Sequence, residues 1–156
     1  MPLQKPALDP VTVTPHTTTL YPEPYRSQVL PREKRKLGDA LGLTKIGINR
    51  TTLMPGKVSS MRHWHTHEDE FVYVLEGEVV LCTSGGEQVL TAGHCAGFPA
   101  GCDDGHQFVN RTSRPAVYLE ISNRNSEDCA HYSEPHVDMA WNAALGRITR
   151  RDGSSY

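Results

Sequence analysis

The sequence has no apolar run approaching the length needed to cross a bilayer. Its opening, MPLQKPALDPVTV, carries neither a basic flank nor the apolar stretch of a signal peptide. The expectation is a soluble, cytoplasmic protein with no membrane partner. A charge imbalance is missing too: 16 Lys and Arg stand against 18 Asp and Glu, so no overall field draws the chain to nucleic acid. Four cysteines, Cys82, Cys95, Cys102 and Cys129, include no CxxC pair, which argues against a zinc knuckle or a thioredoxin-like motif. They read as free thiols of a reducing compartment, with Cys82 in the core. Residues 43–122 sustain no helical period, and the remainder is too short and irregular for a helix-turn-helix.

What is present divides the chain into three stretches. With 156 residues there is room for one domain and one sizeable core. Residues 1–37 hold seven prolines between Pro2 and Pro31, which bars a helix interior or a central strand and predicts an extended arm, free or lying along a sheet edge. Within it, Arg32, Lys34, Arg35 and Lys36, interrupted by Glu33, read as a solvated turn in preference to a localisation or phosphate-binding patch. Residues 38–124 are β-rich. The predicted strands are 45–53, 58–65, 70–75, 78–82, 87–90, 95–99, 107–110 and 116–122, parted by glycine-bearing turns, a spacing that argues for an antiparallel sandwich or barrel. Residues 125–156 form a polar tail in which VDMAWNAAL, 137–145, is the one candidate helix, anchored by Trp141 and stopped at Gly146.

The chemistry concentrates in PGKVSSMRHWHTHEDEFVYVLEGE, residues 55–78. Side chains alternate along a strand, so His63 and His65 share one face and Trp64 takes the other, which offers two imidazoles as a chelate. After a turn containing His67, Glu70 opens the next strand and can return a carboxylate to the same side. Glu70, Val72 and Val74 then share one face and Phe71, Tyr73 and Leu75 the other. Both faces are apolar beyond the carboxylate, as expected of a strand between a barrel interior and a second packed layer.

A second segment, GHCAGFPAGCDDGHQFVN, residues 93–110, completes a pattern that resembles the paired signature of the cupin superfamily. His63, His65, Glu70 and Gly77 match the first half, and Gly93, Pro99, Gly101, His106 and Asn110 the second. Four residues separate Gly101 from His106 where two are usual, and the stretch before His63 is one residue longer than the pattern. The resemblance covers about residues 43–122. It implies an all-β double-stranded β-helix, the jelly-roll barrel of cupins, with an extended N-terminal arm and a short helical or irregular C-terminal tail. It further implies one divalent metal ion held by His63, His65, Glu70 and His106, with Fe or Mn favoured and Ni, Co or Zn possible. Gln107, Phe108, Tyr118 and Glu120 are candidates for the pocket wall, and Glu70, Tyr118 and Glu120 are the candidate catalytic groups. The implied function is that of a metal-dependent dioxygenase, isomerase or lyase acting on a small oxygenated metabolite. The alternative is a non-catalytic cupin that binds a small molecule or sugar. Cupin barrels commonly pair, and the arm offers an edge to exchange, so a homodimer is expected.

Overall fold

The structure is a computed structural model that describes residues 3–156; Met1 and Pro2 of the expected arm lie outside the described residues. β-Strands dominate. One wall of the barrel is a five-stranded antiparallel sheet in the order β1 (Arg32–Lys36), β2 (Ile46–Leu53), β9 (Ala116–Asn123), β4 (Glu70–Glu76) and β7 (Cys95–Phe98). Facing it stands a three-stranded sheet of β6 (Gly86–Thr91), β5 (Glu78–Thr83) and β8 (Gln107–Val109). The result is the jelly-roll barrel that the sequence predicts.

Alternation explains the core between the walls. Val72 and Val74 of β4 point inward and are buried, as are Val79 and Leu81 of β5, Leu53 of β2, Phe108 of β8, and Ala116 and Tyr118 of β9. Each large apolar side chain sequestered in this way contributes about 1.5–3 kcal/mol of transfer free energy. The hairpin between β4 and β5 depends on Gly77, whose φ is +76°; a Cβ there would also lie 2.9 Å from the Pro115 carbonyl oxygen. On the outer face of β4, Phe71, Tyr73 and Leu75 are 40%, 39% and 37% exposed. The second packed layer expected there is therefore not supplied by the described residues.

The two flanking stretches differ from their sequence reading. REKRK is strand β1, paired with β2 from Arg32 opposite Leu53 to Lys36 opposite Asn49, and is not a turn. Backbone pairing needs no apolar side chains, and an edge strand tolerates charge on both faces. The arm holds a 3₁₀ turn, Pro10–Thr12, and a short helix, α1 (Tyr25–Val29), fitted between Pro24 and Pro31. A second short helix, α2 (Leu37–Leu41), links β1 to β2. VDMAWNAAL is not a helix: Val137 and Met139 are buried with Asp138 exposed between them, which is strand periodicity. Ala140–Asn142 is strand β11 and Arg147–Thr149 strand β12, with Gly146 serving the turn between them. Together with β10 (Cys129–Tyr132) and β3 (His63–His65) they form a third sheet in the order β12-β11-β10-β3.

Arm and tail meet in a second core of Tyr25, Val29, Met61, Tyr132, Val137 and Met139. The Tyr25 hydroxyl ties the two together, donating to the His136 carbonyl at 3.0 Å and accepting from the Asp138 N–H at 3.1 Å. All four cysteines are free, and Cys82 is half-buried, not in the core.

Candidate metal centre

Three backbone relationships bring distant residues together. Strand β3 sets His63 and His65 on one face, and an isolated antiparallel bridge joins His63 to His106: His106 N–H donates to the His63 carbonyl at 2.9 Å and His63 N–H returns the bond at 3.2 Å. Glu70, at the start of β4, is opposite Phe98 of β7, and the Phe98 ring stacks on His106 with centroids 3.5 Å apart. From Glu70 Oε2, the Nε2 atoms of His106, His65 and His63 lie 2.9, 3.6 and 3.9 Å away. His63, His65, Glu70 and His106 thus come together. His63, Glu70 and His106 each present one donor atom within 4.8 Å of the others.

The hydrogen bonds behind the rings orient them. His63 Nδ1 donates to the Met61 carbonyl at 2.8 Å, and His65 Nδ1 to Asp128 Oδ2 at 2.6 Å. Each bond fixes the tautomer that leaves the Nε2 lone pair facing Glu70. His106 Nε2 and Glu70 Oε2 are close, yet the angles of a hydrogen bond between them are not met, and Glu70 Oε2 is buried without a partner. Burial pushes the Glu70 carboxyl up, but the three imidazoles outweigh it and hold its pKa at about 2. Burial also depresses His63, against the pull of Glu70, to about 4. With Nδ1 of His63 and of His65 committed to donating, their Nε2 lone pairs face the Glu70 carboxylate, acceptors against an acceptor. Such a set is costly alone and satisfied by a cation. Separations of about 3–4 Å are what ligands at about 2.0–2.2 Å from a common ion would show.

Asp128 is the residue that the sequence reading missed. It lies in the tail just before β10, is 1% exposed, and accepts from the N–H groups of His67 and Glu68 as well as from His65. A carboxylate behind a ligand histidine fixes ring orientation and raises ligand basicity. Glu68, His65 and Asp128 form a second cluster of possible ligating groups, in which the bond to His65 already occupies Asp128.

A cavity of about 350 Å³ opens on one side of the cluster, walled by Tyr21, Arg32, Lys34, Phe108, Glu120 and Tyr132 among others. A second, of about 420 Å³, lies on the other side, with Trp64, Phe98 and Cys102 in its wall; His65, Glu70 and His106 line both. Glu120 reaches the first cavity and pairs with Lys34 at 2.7 Å. Tyr118 does not line it. It is fully buried in the barrel core, and burial, followed by the Glu120 carboxylate, pushes its hydroxyl well above the usual phenol range. Gln107 is also absent from the cavity wall; its amide donates to the Ser60 carbonyl at 2.6 Å. Asn110 is a structural tie, fully buried, whose amide donates to the Leu53 and Arg114 carbonyls at 2.9 and 2.8 Å. Trp64 is half-buried and stacks on His131 with centroids 4.6 Å apart, whereas Phe71 faces solvent.

Comparison with known proteins adds the following. The family model described as a cupin domain matches residues 49–122. A protein of Silicibacter pomeroyi, named a sugar phosphate isomerase of the cupin superfamily, is 41% identical over 97% of this chain and 96% of its own, with a TM-score of 0.88. A second structure, from Acidithiobacillus ferrooxidans and named for the same activity, is 29% identical over 80% of each chain with a TM-score of 0.69. A Thermotoga maritima chain named as an oxalate decarboxylase shares the fold at 20% identity, covering 76% of this chain and 99% of its own, with a TM-score of 0.62. No curated protein matches. Identity carried across nearly the whole of both chains, on the same barrel, places this protein in the cupin superfamily.

Proposed function

We propose that this cupin is a metal-dependent isomerase of small phosphorylated sugars. The observation that carries the reading is the convergence of three imidazole Nε2 atoms and the Glu70 carboxylate on one point, beside a cavity lined by Arg32, Lys34 and Lys36. The likeness to proteins named as sugar phosphate isomerases supports the substrate class. His63, His65, Glu70 and His106 would hold the ion, with Fe or Mn suited by the carboxylate and Ni, Co or Zn the other candidates. A divalent ion in that position supplies Lewis acidity toward a carbonyl or alkoxide oxygen.

The chain's own groups provide the rest. Glu120 lines the cavity as a carboxylate steadied by Lys34. It is placed to accept the proton from the carbon next to a carbonyl and return it to the neighbouring carbon, while the adjoining hydroxyl proton passes to the former carbonyl oxygen. Tyr21 and Tyr132, both raised in pKa by burial, stay protonated and close one side of the cavity against water. We place the enzyme in the cytoplasm, a reading supported by four unbridged thiols. No helix among the described residues is long and apolar enough to cross a membrane. The outer face of β4 supports a homodimer.

Elemental analysis of the purified protein, followed by aldose–ketose interconversion assays on phosphorylated sugars, tests the reading. Wild type retains about one divalent ion per chain and turns over, and His106→Ala loses both. Turnover by metal-free wild type, or undiminished turnover by His106→Ala, would overturn it.

A further inference from the structure

Three of the four cations of β1 form a regular set. Residues two apart on a strand share a face, and Arg32, Lys34 and Lys36 all line the 350 Å³ cavity. Glu33 and Arg35, which alternate with them, do not. Those two pair with each other at 3.5 Å, and the Arg35 guanidinium holds the Val11 and Val13 carbonyls of the arm. The arm completes the same wall. His16 and Lys34 exchange backbone hydrogen bonds at 2.8 and 3.0 Å, which brings His16, Thr18 and Thr19 beside the cations.

Much of this donor capacity is free. Arg32 uses one guanidinium nitrogen on the Ser59 carbonyl at 2.5 Å, and Lys34 spends one contact on Glu120 at 2.7 Å; Lys36 is exposed at the cavity edge. The carboxylates facing these cations are Glu120, already paired, and Glu70, enclosed by imidazoles. The opposite cavity lacks Lys and Arg and carries Glu68 and Asp104 in its wall. An anion approaching the histidine cluster is therefore favoured from the β1 side alone.

We propose that Arg32, Lys34 and Lys36, with His16 and Thr18 of the arm, form a binding subsite for a phosphate monoester dianion and thereby orient the sugar toward the histidine cluster. Charge-assisted hydrogen bonds from a guanidinium and two ammonium groups suit its oxygens. The cavity volume lies in the range of small-molecule sites, about 300–1,000 Å³. The proposal deepens the isomerase reading and rests on it for the sugar part of the substrate, but the anion subsite can be measured separately.

Titration calorimetry with orthophosphate, fructose 6-phosphate and fructose provides the test, on wild type, Lys36→Gln, Lys34→Gln/Lys36→Gln, and Lys45→Gln as an equal-charge control outside the cavity. Wild type and Lys45→Gln bind both phosphates alike. Lys36→Gln weakens them several-fold and the double variant about tenfold or more, while fructose is unaffected and metal content is unchanged. Equal orthophosphate binding by wild type and the double variant would overturn the subsite, as would wild type that binds no phosphate. Should the double variant fail to fold, Lys36→Gln decides, because Lys36 is exposed and its removal disturbs no core contact. Phosphate binding that is lost in the β1 variants of a protein taking up no divalent ion supports the subsite and overturns the isomerase reading.

Discussion

At the scale of single residues, the histidine cluster depends on groups that touch no substrate. Asp128 lies 63 positions from His65 and accepts its Nδ1 proton at 2.6 Å. Asn in its place keeps the size but surrenders one acceptor and the charge. Asp128→Asn is expected to weaken metal affinity about 10–100-fold, the range typical of such supporting carboxylates, in a chelator competition assay. Acid stability changes in a defined direction as well. Burial raises the Asp128 carboxyl, but the bond from His65 and those from the His67 and Glu68 amides outweigh it and leave its pKa below the ordinary value. A depressed carboxyl stabilises the fold above its unfolded pKa of about 3.9 and loses that contribution as pH falls through the folded value. Acid unfolding of Asp128→Asn, followed by circular dichroism, should therefore lose part of its pH dependence below about pH 4. Tyr118 gives the opposite expectation. Its hydroxyl is buried without a hydrogen-bond partner, so Tyr118→Phe removes an unsatisfied group and is expected to leave the melting temperature unchanged or higher. Its turnover should match wild type; a large fall in kcat at constant melting temperature would restore a chemical role to Tyr118.

At the scale of elements, His106 is aimed by the segment before it. The CDDG stretch between Gly101 and His106 is anchored by Asp104, whose carboxylate accepts from Ser84 N–H at 2.8 Å. Gly105 then passes so close to the tail that a Cβ would lie 1.9 Å from Ser133 Oγ, 3.0 Å from Ser133 Cβ and 3.3 Å from His63 N. Gly105→Ala must displace the Ser133 side chain and crowds the His63 backbone beside its bridge to His106. Its expected signature is weaker metal uptake in calorimetry, with a melting temperature lowered by overpacking that costs about 1–3 kcal/mol. Legibility from sequence follows the same division. The barrel strands and the pairing of His63 with His65 are read from alternation, a local rule that the residues themselves display. Asp128 was illegible because one aspartate in a polar tail carries no local mark of the histidine it will meet. REKRK was illegible as a strand because its stability comes from backbone pairing with β2, and all of its side chains are polar. VDMAWNAAL misled because its alanines suit a helix, while burial of Val137 and Met139 against the arm imposes a period of two.

At the scale of the whole molecule, the arm and tail wrap the barrel, yet the five-stranded sheet keeps an uncovered outer face. Phe71 pairs across to Ile121, which pairs to Ile48, and Tyr73 pairs across to Leu119, so neighbouring strands extend one apolar stripe over three elements. Soluble monomers seldom leave a contiguous patch of that kind to water. We propose this stripe as the meeting surface of a homodimer. A second copy of the chain related by a two-fold axis would present the same stripe and bury it isologously. Light scattering of wild type at micromolar concentration is expected to give the mass of two chains. Phe71→Lys/Tyr73→Lys sets like charges on both sides of that contact and is expected to give the mass of one. The histidine cluster faces the barrel interior, away from this stripe, so the double variant should take up as much divalent ion as wild type. A wild type that runs as a single chain would refute the dimer, and a double variant that still runs as two would move the interface to another surface.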